Sequence, residues 1–167
     1  TGLPVSPIGE KLGPEAALSQ SKVAEGQELY RAIPWLVNLK GPELKDKTVV
    51  SRVDWNIPNL NSASRIQASL PGLIHIINNG GTAIVLTHYG RPGGKVRPEL
   101  STKPLADIAR KLLAEQGYSN IQVVHHEGSI TEQGVAEGLR DRIVKGAINV
   151  LQNTRFCPGD EKNDPKF

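Results

Sequence analysis

Residues 48–58 read TVVSRVDWNIP, a β-branched run that ends abruptly in an arginine, an aspartate and an asparagine. Thr48, Val49, Val50 and Val53 favour a pleated strand. Pro58 has a fixed φ and no N–H to give a neighbour, so the ladder should stop near Asp54. The stretch therefore reads as a buried strand with chemistry at its tip, Asp54 and Asn56 lying just past the carboxyl end. In an open parallel sheet that is where ligands bind, beside the point at which strand order reverses.

Working outward from this strand, the same unit recurs. Ser62 or Ser64 can cap a helix whose apolar Ile66, Leu70, Leu73, Ile74 and Ile77 share one face, with a kink expected at Pro71. Asn79, Gly80 and Gly81 tolerate the positive φ that ends a helix, and 82–86 is a second β-branched run. Strand, crossover helix and strand in that order require parallel strands and a right-handed connection. Thr102 and Pro104 open another helix, lined by Leu105, Ile108, Ala109, Leu112 and Leu113 up to Gly117, and 121–124 is a third strand. Thr131 can cap a fourth-cycle helix carrying Val135, Leu139 and Ile143, which Gly146 closes before a fourth strand over 147–151. This alternation predicts an α/β fold. It would be a doubly wound, mostly parallel, Rossmann-like sheet of order 3-2-1-4, incomplete at one edge.

A chain of 167 residues with 38% hydrophobic content can build one sizeable core. No apolar run approaches membrane-spanning length. The balance of 20 Lys and Arg against 17 Asp and Glu leaves only +3, too mild for a nucleic-acid tail. A single cysteine excludes an intrachain disulfide and suits a reducing compartment. The sequence starts at Thr1 and has no methionine, as expected of a processed or partial polypeptide. Residues 1–46 are rich in Pro and Gly and offer one plausible helix over 14–31, so they read as an extension or docking arm, with the domain proper at 47–167. Glu10, Glu15, Glu25 and Glu28 argue against a transit peptide in this arm.

Placed on that skeleton, the polar residues follow a pattern. Asp54 and Asn56 follow the first strand, His88 and Arg91 the second, Arg155 the fourth, and Arg65 opens the first helix on the same rim. Arginines, a histidine, an aspartate and an asparagine around one crevice suit a small anion carrying a phosphate together with hydroxyl or carboxylate groups. Each group also has a plainer reading. Asp54 and Asn56 could serve a turn, the arginines could be solvated, and His88 could be a core histidine. His125 and His126 follow a strand but lack zinc-ligand spacing. GRPGGK, 90–95, fails the P-loop pattern, which needs glycine at Tyr89 and Ser or Thr at Val96. Cys157 reads as a spectator thiol, and 160–166 as a solvated loop or helix start.

RVDWNIP, SRIQASLPGL, THYGRPGGKV and QNTRFCPGDEKNDPKF, in this order and spacing, resemble successive motifs of the phosphoglycerate kinases over about 39–167. The resemblance implies a partial N-terminal domain that binds 3-phosphoglycerate, with Mg-ATP or Mg-ADP held by a C-terminal domain absent here. It implies that Asp54 and Asn56 contact the glycerate hydroxyl and carboxylate end. His88, Arg91 and Arg155 would hold the remote phosphate, and Arg65 would act catalytically on the phosphoryl group in flight. The reaction implied is transfer between 1,3-bisphosphoglycerate and ADP, in reverse from ATP to 3-phosphoglycerate, in glycolytic cytosol or in a plastid or mitochondrion. Gln152, Thr154 and Cys157 depart from the family's usual Glu, Leu and His or Tyr, and Trp55 and Tyr89 replace commoner Phe or Leu. The rival reading is a non-catalytic, kinase-derived structural or anion-binding subunit of a larger assembly. In either case the partner would be the nucleotide-binding half of the same protein or another subunit.

Overall fold

The computed structural model describes residues 36–165, and the helix expected over 14–31 lies outside them. The chain divides into two compact units, Thr1–Asn38 and Leu39–Phe167. Among the described residues the first holds one 3-10 turn, Leu36–Asn38. The second carries, in chain order, α1 (Gly41–Leu44), β1 (Thr48–Arg52), α2 (Ser64–Asn78), β2 (Thr82–Leu86), α3 (Lys103–Glu115), β3 (Val123–His126), β4 (Ile130–Thr131), β5 (Gly134–Val135), α4 (Leu139–Arg142), β6 (Ile148–Leu151) and α5 (Pro158–Lys162). Leu44 of α1 is buried and the Asp46 N–H donates to the Gly80 carbonyl at 3.0 Å, so this unit begins ahead of Lys47.

β1, β2, β6 and β3 form a parallel sheet in that order. Counting only these four strands along the chain, the order is 1-2-4-3, which corrects the 3-2-1-4 expected from alternation. The first crossover moves one place along the sheet, the α3 crossover passes over a vacant place, and β6 returns to fill it. Alternation reveals that crossovers exist but not how far each one steps. Burial records the result. All four residues of β6 are buried, whereas β1 alternates and leaves Val50 60% exposed. The buried strand expected at β1 is therefore an edge strand.

α2 and α3 pack on each other and on β2 and β3. The opposite face is closed by Ile130, Leu139, Leu151, Phe156 and Cys157, which reach sideways to Ile84 and Leu86 of β2. α2 buries Ile66, Leu70, Leu73, Ile74 and Ile76, so Ile76 rather than Ile77 ends the stripe. The chain turns tightly there: the Gly81 N–H donates to the Ile76 carbonyl, and a Cβ on Gly81 would lie 2.9 Å from the Ile76 side chain. Ala63, not Ser62 or Ser64, is the N-cap, and the helix continues through Pro71 on its exposed side.

Three other expectations are corrected. Thr102 sits at the N-cap of α3 without capping it, because its hydroxyl donates to the Leu151 carbonyl at 2.7 Å. The helix expected from Thr131 is instead the β4–β5 hairpin and the single turn of α4. Gly134 and Gly138, at φ of 111° and 68°, interrupt helical geometry, and the Thr131 hydroxyl accepts the Gln133 N–H within the turn. The third strand starts later than 121 because Ile121 is still turned back onto Tyr118.

Candidate functional site

Trp55 fixes the tip of β1. Its ring is fully buried, its N–H donates to Thr87 Oγ1 at 3.1 Å, and its indole N–H donates to Ser69 Oγ at 2.8 Å. Those bonds join the ends of β1 and β2 to α2. On either side of Trp55, Asp54 and Asn56 turn outward. Asp54 Oδ1 accepts the Asn56 N–H at 3.0 Å, which is the turn bond the plain reading anticipates. The same residues also reach further. Arg65 Nη1 donates to Asp54 Oδ2 at 2.5 Å and to the Asn56 carbonyl at 3.1 Å, and Asn56 Oδ1 accepts the Gly90 N–H at 2.9 Å.

The segment after β6 is bound into the same rim. Thr154 N–H donates to the Thr87 carbonyl at 3.1 Å, and Asn153 Nδ2 donates to the carbonyls of Tyr89 and Leu100 at 2.7 and 2.8 Å. This places Arg155 so that its Nη1 donates to the Gly90 carbonyl at 3.2 Å. Arg155 Nε faces Glu161 at 3.4 Å and Asp160 at 3.9 Å, and Asp160 also lies 3.6 Å from Arg52 Nη2. A near-ring thus runs from Arg65 through Asp54, Asn56, Gly90, Arg155 and Asp160 to Arg52, spanning the tips of β1, β2 and β6. Under the corrected strand order β2 lies between β1 and β6, and the ring brings together Asp54, Asn56, Arg65 and Arg155 of the six expected residues.

His88 is half-buried within the field of this ring. Burial pushes its pKa down from 6.5, Arg155 and Arg52 push the same way, and Asp54 and Asp160 oppose them without prevailing. These effects favour the neutral imidazole. For Asp54, burial raises the pKa, but the Asn56 N–H and the Arg65 guanidinium together bring it below the model-peptide value of 3.8. Arg65 and Arg52 have side chains 50% and 78% exposed, so their remaining N–H donors face solvent. Arg91 is exposed on the loop that follows His88. Two ring members escape the sequence reading. Arg52 is hidden as an ordinary strand residue, although its place at the strand's carboxyl end is a usable signal. Asp160 is read as solvated, yet its side chain is only 8% exposed.

The other candidates have structural partners. His126 Nε2 meets Asn149 Oδ1 at 2.8 Å, His125 Nε2 meets Thr102 Oγ1 at 3.1 Å, and Cys157 is buried. No group of three or more His, Cys, Asp or Glu able to hold a metal occurs among the described residues. Gly90, Gly93 and Gly94 all have positive φ, and Gly94 lies against Pro158 of α5, where a Cβ would approach the proline to 2.7 Å. The loop is therefore wedged between strand tip and α5, and it supplies no phosphate cradle of the P-loop kind.

Fold and rim define a class: a parallel α/β domain that gathers Arg52, Arg65 and Arg155 with Asp54, Asn56 and Asp160 at the carboxyl ends of adjacent strands. The family model described as phosphoglycerate kinase matches residues 39–167. Phosphoglycerate kinase of Moorella thermoacetica is 35% identical over 135 residues, covering 78% of this chain and 32% of that protein. The Chlorobium phaeobacteroides enzyme is 38% identical over 128 residues, with 74% and 30% covered. Cytosolic phosphoglycerate kinase 3 of Arabidopsis thaliana is 36% identical over 134 residues, with 77% and 31% covered. The solved phosphoglycerate kinase of Coxiella burnetii superposes with a TM-score of 0.50 at 28% identity, covering 68% of this chain and 27% of that one. The chain belongs to the phosphoglycerate kinase family and spans about a third of the length of these curated relatives.

Proposed function

We propose that this chain supplies the 3-phosphoglycerate-binding half of a phosphoglycerate kinase, residues 39–167 forming part of the N-terminal domain and the residues ahead of them an arm. Asp54 accepts the glycerate hydroxyl, and Asn56 orients the carboxylate end. His88, Arg91 and Arg155 take the remote phosphate, and Arg65 reaches toward the phosphoryl group being transferred. Phosphoryl transfer needs positioning and neutralisation of charge on the equatorial oxygens, with little covalent help from protein, and exposed guanidinium donors suit that task. The family's nucleotide with its magnesium belongs to the other half of such a kinase, whether in the same protein or in another subunit, and closure of the halves would exclude water. The glycolytic cytosol is the compartment this reading favours, with a plastid or mitochondrion as the alternative.

The observation that supports this reading is the unbroken series of bonds Arg65–Asp54–Asn56–Gly90–Arg155, which ties residues far apart in sequence into one rim. Calorimetric titration of the chain with 3-phosphoglycerate tests it. Binding should be measurable, and Arg65→Ala or Arg155→Ala should each weaken it about 10- to 100-fold, as loss of a charge-assisted contact does. No heat with the unaltered chain would instead favour a relict scaffold.

A further inference from the structure

We propose that Asp160 is a positioning residue of the crevice, its buried carboxylate holding Arg52 and Arg155 together beside the tip of β2; the proposal rests on the anion-binding reading above. Asp160 lies on the single turn of α5, beyond the strand-tip motifs, and its side chain is 8% exposed. Its Oδ2 accepts the Thr154 hydroxyl at 3.3 Å and faces Arg155 Nε at 3.9 Å, while its Oδ1 faces Arg52 Nη2 at 3.6 Å. Arg52 leaves β1 and Arg155 follows β6, so this one carboxylate spans the two strands on either side of β2.

Two guanidinium groups drawn toward one small volume repel each other, and a shared carboxylate offsets that repulsion. The contacts also orient the heads. Arg155 uses Nη1 on the Gly90 carbonyl and turns Nε toward Asp160 and Glu161, which leaves its other N–H donors for a ligand. Arg155 Nε is itself buried without a hydrogen-bonded acceptor, so the two carboxylates steer it by charge rather than by a formed bond. Glu161 is 37% exposed and touches only one of the two arginines, so the bridging function falls to Asp160.

The test is titration of the full chain with 3-phosphoglycerate in a double-mutant cycle. Asp160→Asn should lower affinity about tenfold, and Asp160→Glu should restore most of it. In an Arg155→Ala background the same Asp160→Asn change should have almost no further effect, because the residue acts through Arg155. A purely structural role would instead give additive losses. Should Asp160→Asn not fold by thermal melt, Thr154→Val reads the same quantity by removing the hydroxyl that anchors the carboxylate, with a several-fold loss expected. Unaltered affinity in a folded variant, or additive losses in the cycle, overturns the role of Asp160 alone. An unaltered chain that binds no 3-phosphoglycerate overturns the functional reading beneath it.

Discussion

His88 gives the residue scale a readout of its own. Its pKa lies below 6.5 in the folded chain, so between those two values the unfolded state binds the extra proton. Stability conferred by neutral His88 is therefore complete above pH 6.5 and is lost as pH falls toward the folded value. His125, depressed by burial above all, has the same sign, whereas Asp54 contributes only in a lower window, where stability falls as pH drops below 3.8. Thermal melts should show a falling midpoint from pH 7.5 to 5.5, with a shallower slope in His88→Gln. A bound phosphate favours the imidazolium, so binding should take up a proton. Calorimetry in buffers of different ionisation enthalpy measures that uptake, and His88→Gln should abolish it. Asp54, Asn56, Arg65, His88 and Arg155 are visible in the sequence because they are polar where strands and helices end. Arg52 and Asp160 are hidden, the first because the strand is expected to run on to about Asp54 whereas it ends at Arg52, the second because acidic residues beside lysines look solvated until packing buries one.

At the scale of elements, the post-β2 loop and α5 fit closely at one glycine. Gly94→Ala places a Cβ 2.7 Å from Pro158 at a φ of 71°, so it should lose about 1–3 kcal/mol in denaturant unfolding and loosen the loop that carries His88 and Arg91. Asn149, in the centre of β6, accepts the Val144 N–H at 2.9 Å and faces His126 Nε2 at 2.8 Å. Asn149→Ala should cost about 1–3 kcal/mol, because it leaves buried polar groups unpaired. A midpoint unchanged in either variant would contradict these assignments. Strand β2 and the long helices α2 and α3 are legible from β-branched runs and apolar spacing, since periodicity reports which face is buried. The 131–143 segment is not. Val135, Leu139 and Ile143 keep helical spacing, but Gly134 and Gly138 hold backbone angles that break the helix, and Val135 ends 62% exposed.

At the scale of the whole molecule, the order β1-β2-β6-β3 gathers the tips of β1, β2 and β6 and leaves β1 as an edge. A groove of about 660 Å³ between Thr48, Ile84, Leu139 and Ile143 opens on the sheet face and shares no residue with the arginine rim. Val50, exposed on the edge strand, is a hazard for strand-to-strand association. Val50→Lys should lower concentration-dependent light scattering without altering anion affinity. In the proposed complex, groups from three strand tips surround one phosphorylated acid. Amide chemical shifts recorded while 3-phosphoglycerate is added to the isotope-labelled chain test it most directly. Concerted, saturable shifts at Asn56, His88, Gly90, Arg91 and Arg155, with one dissociation constant, are the predicted result. Shifts confined to the His125–His126 end of the sheet, or none at all, would contradict it.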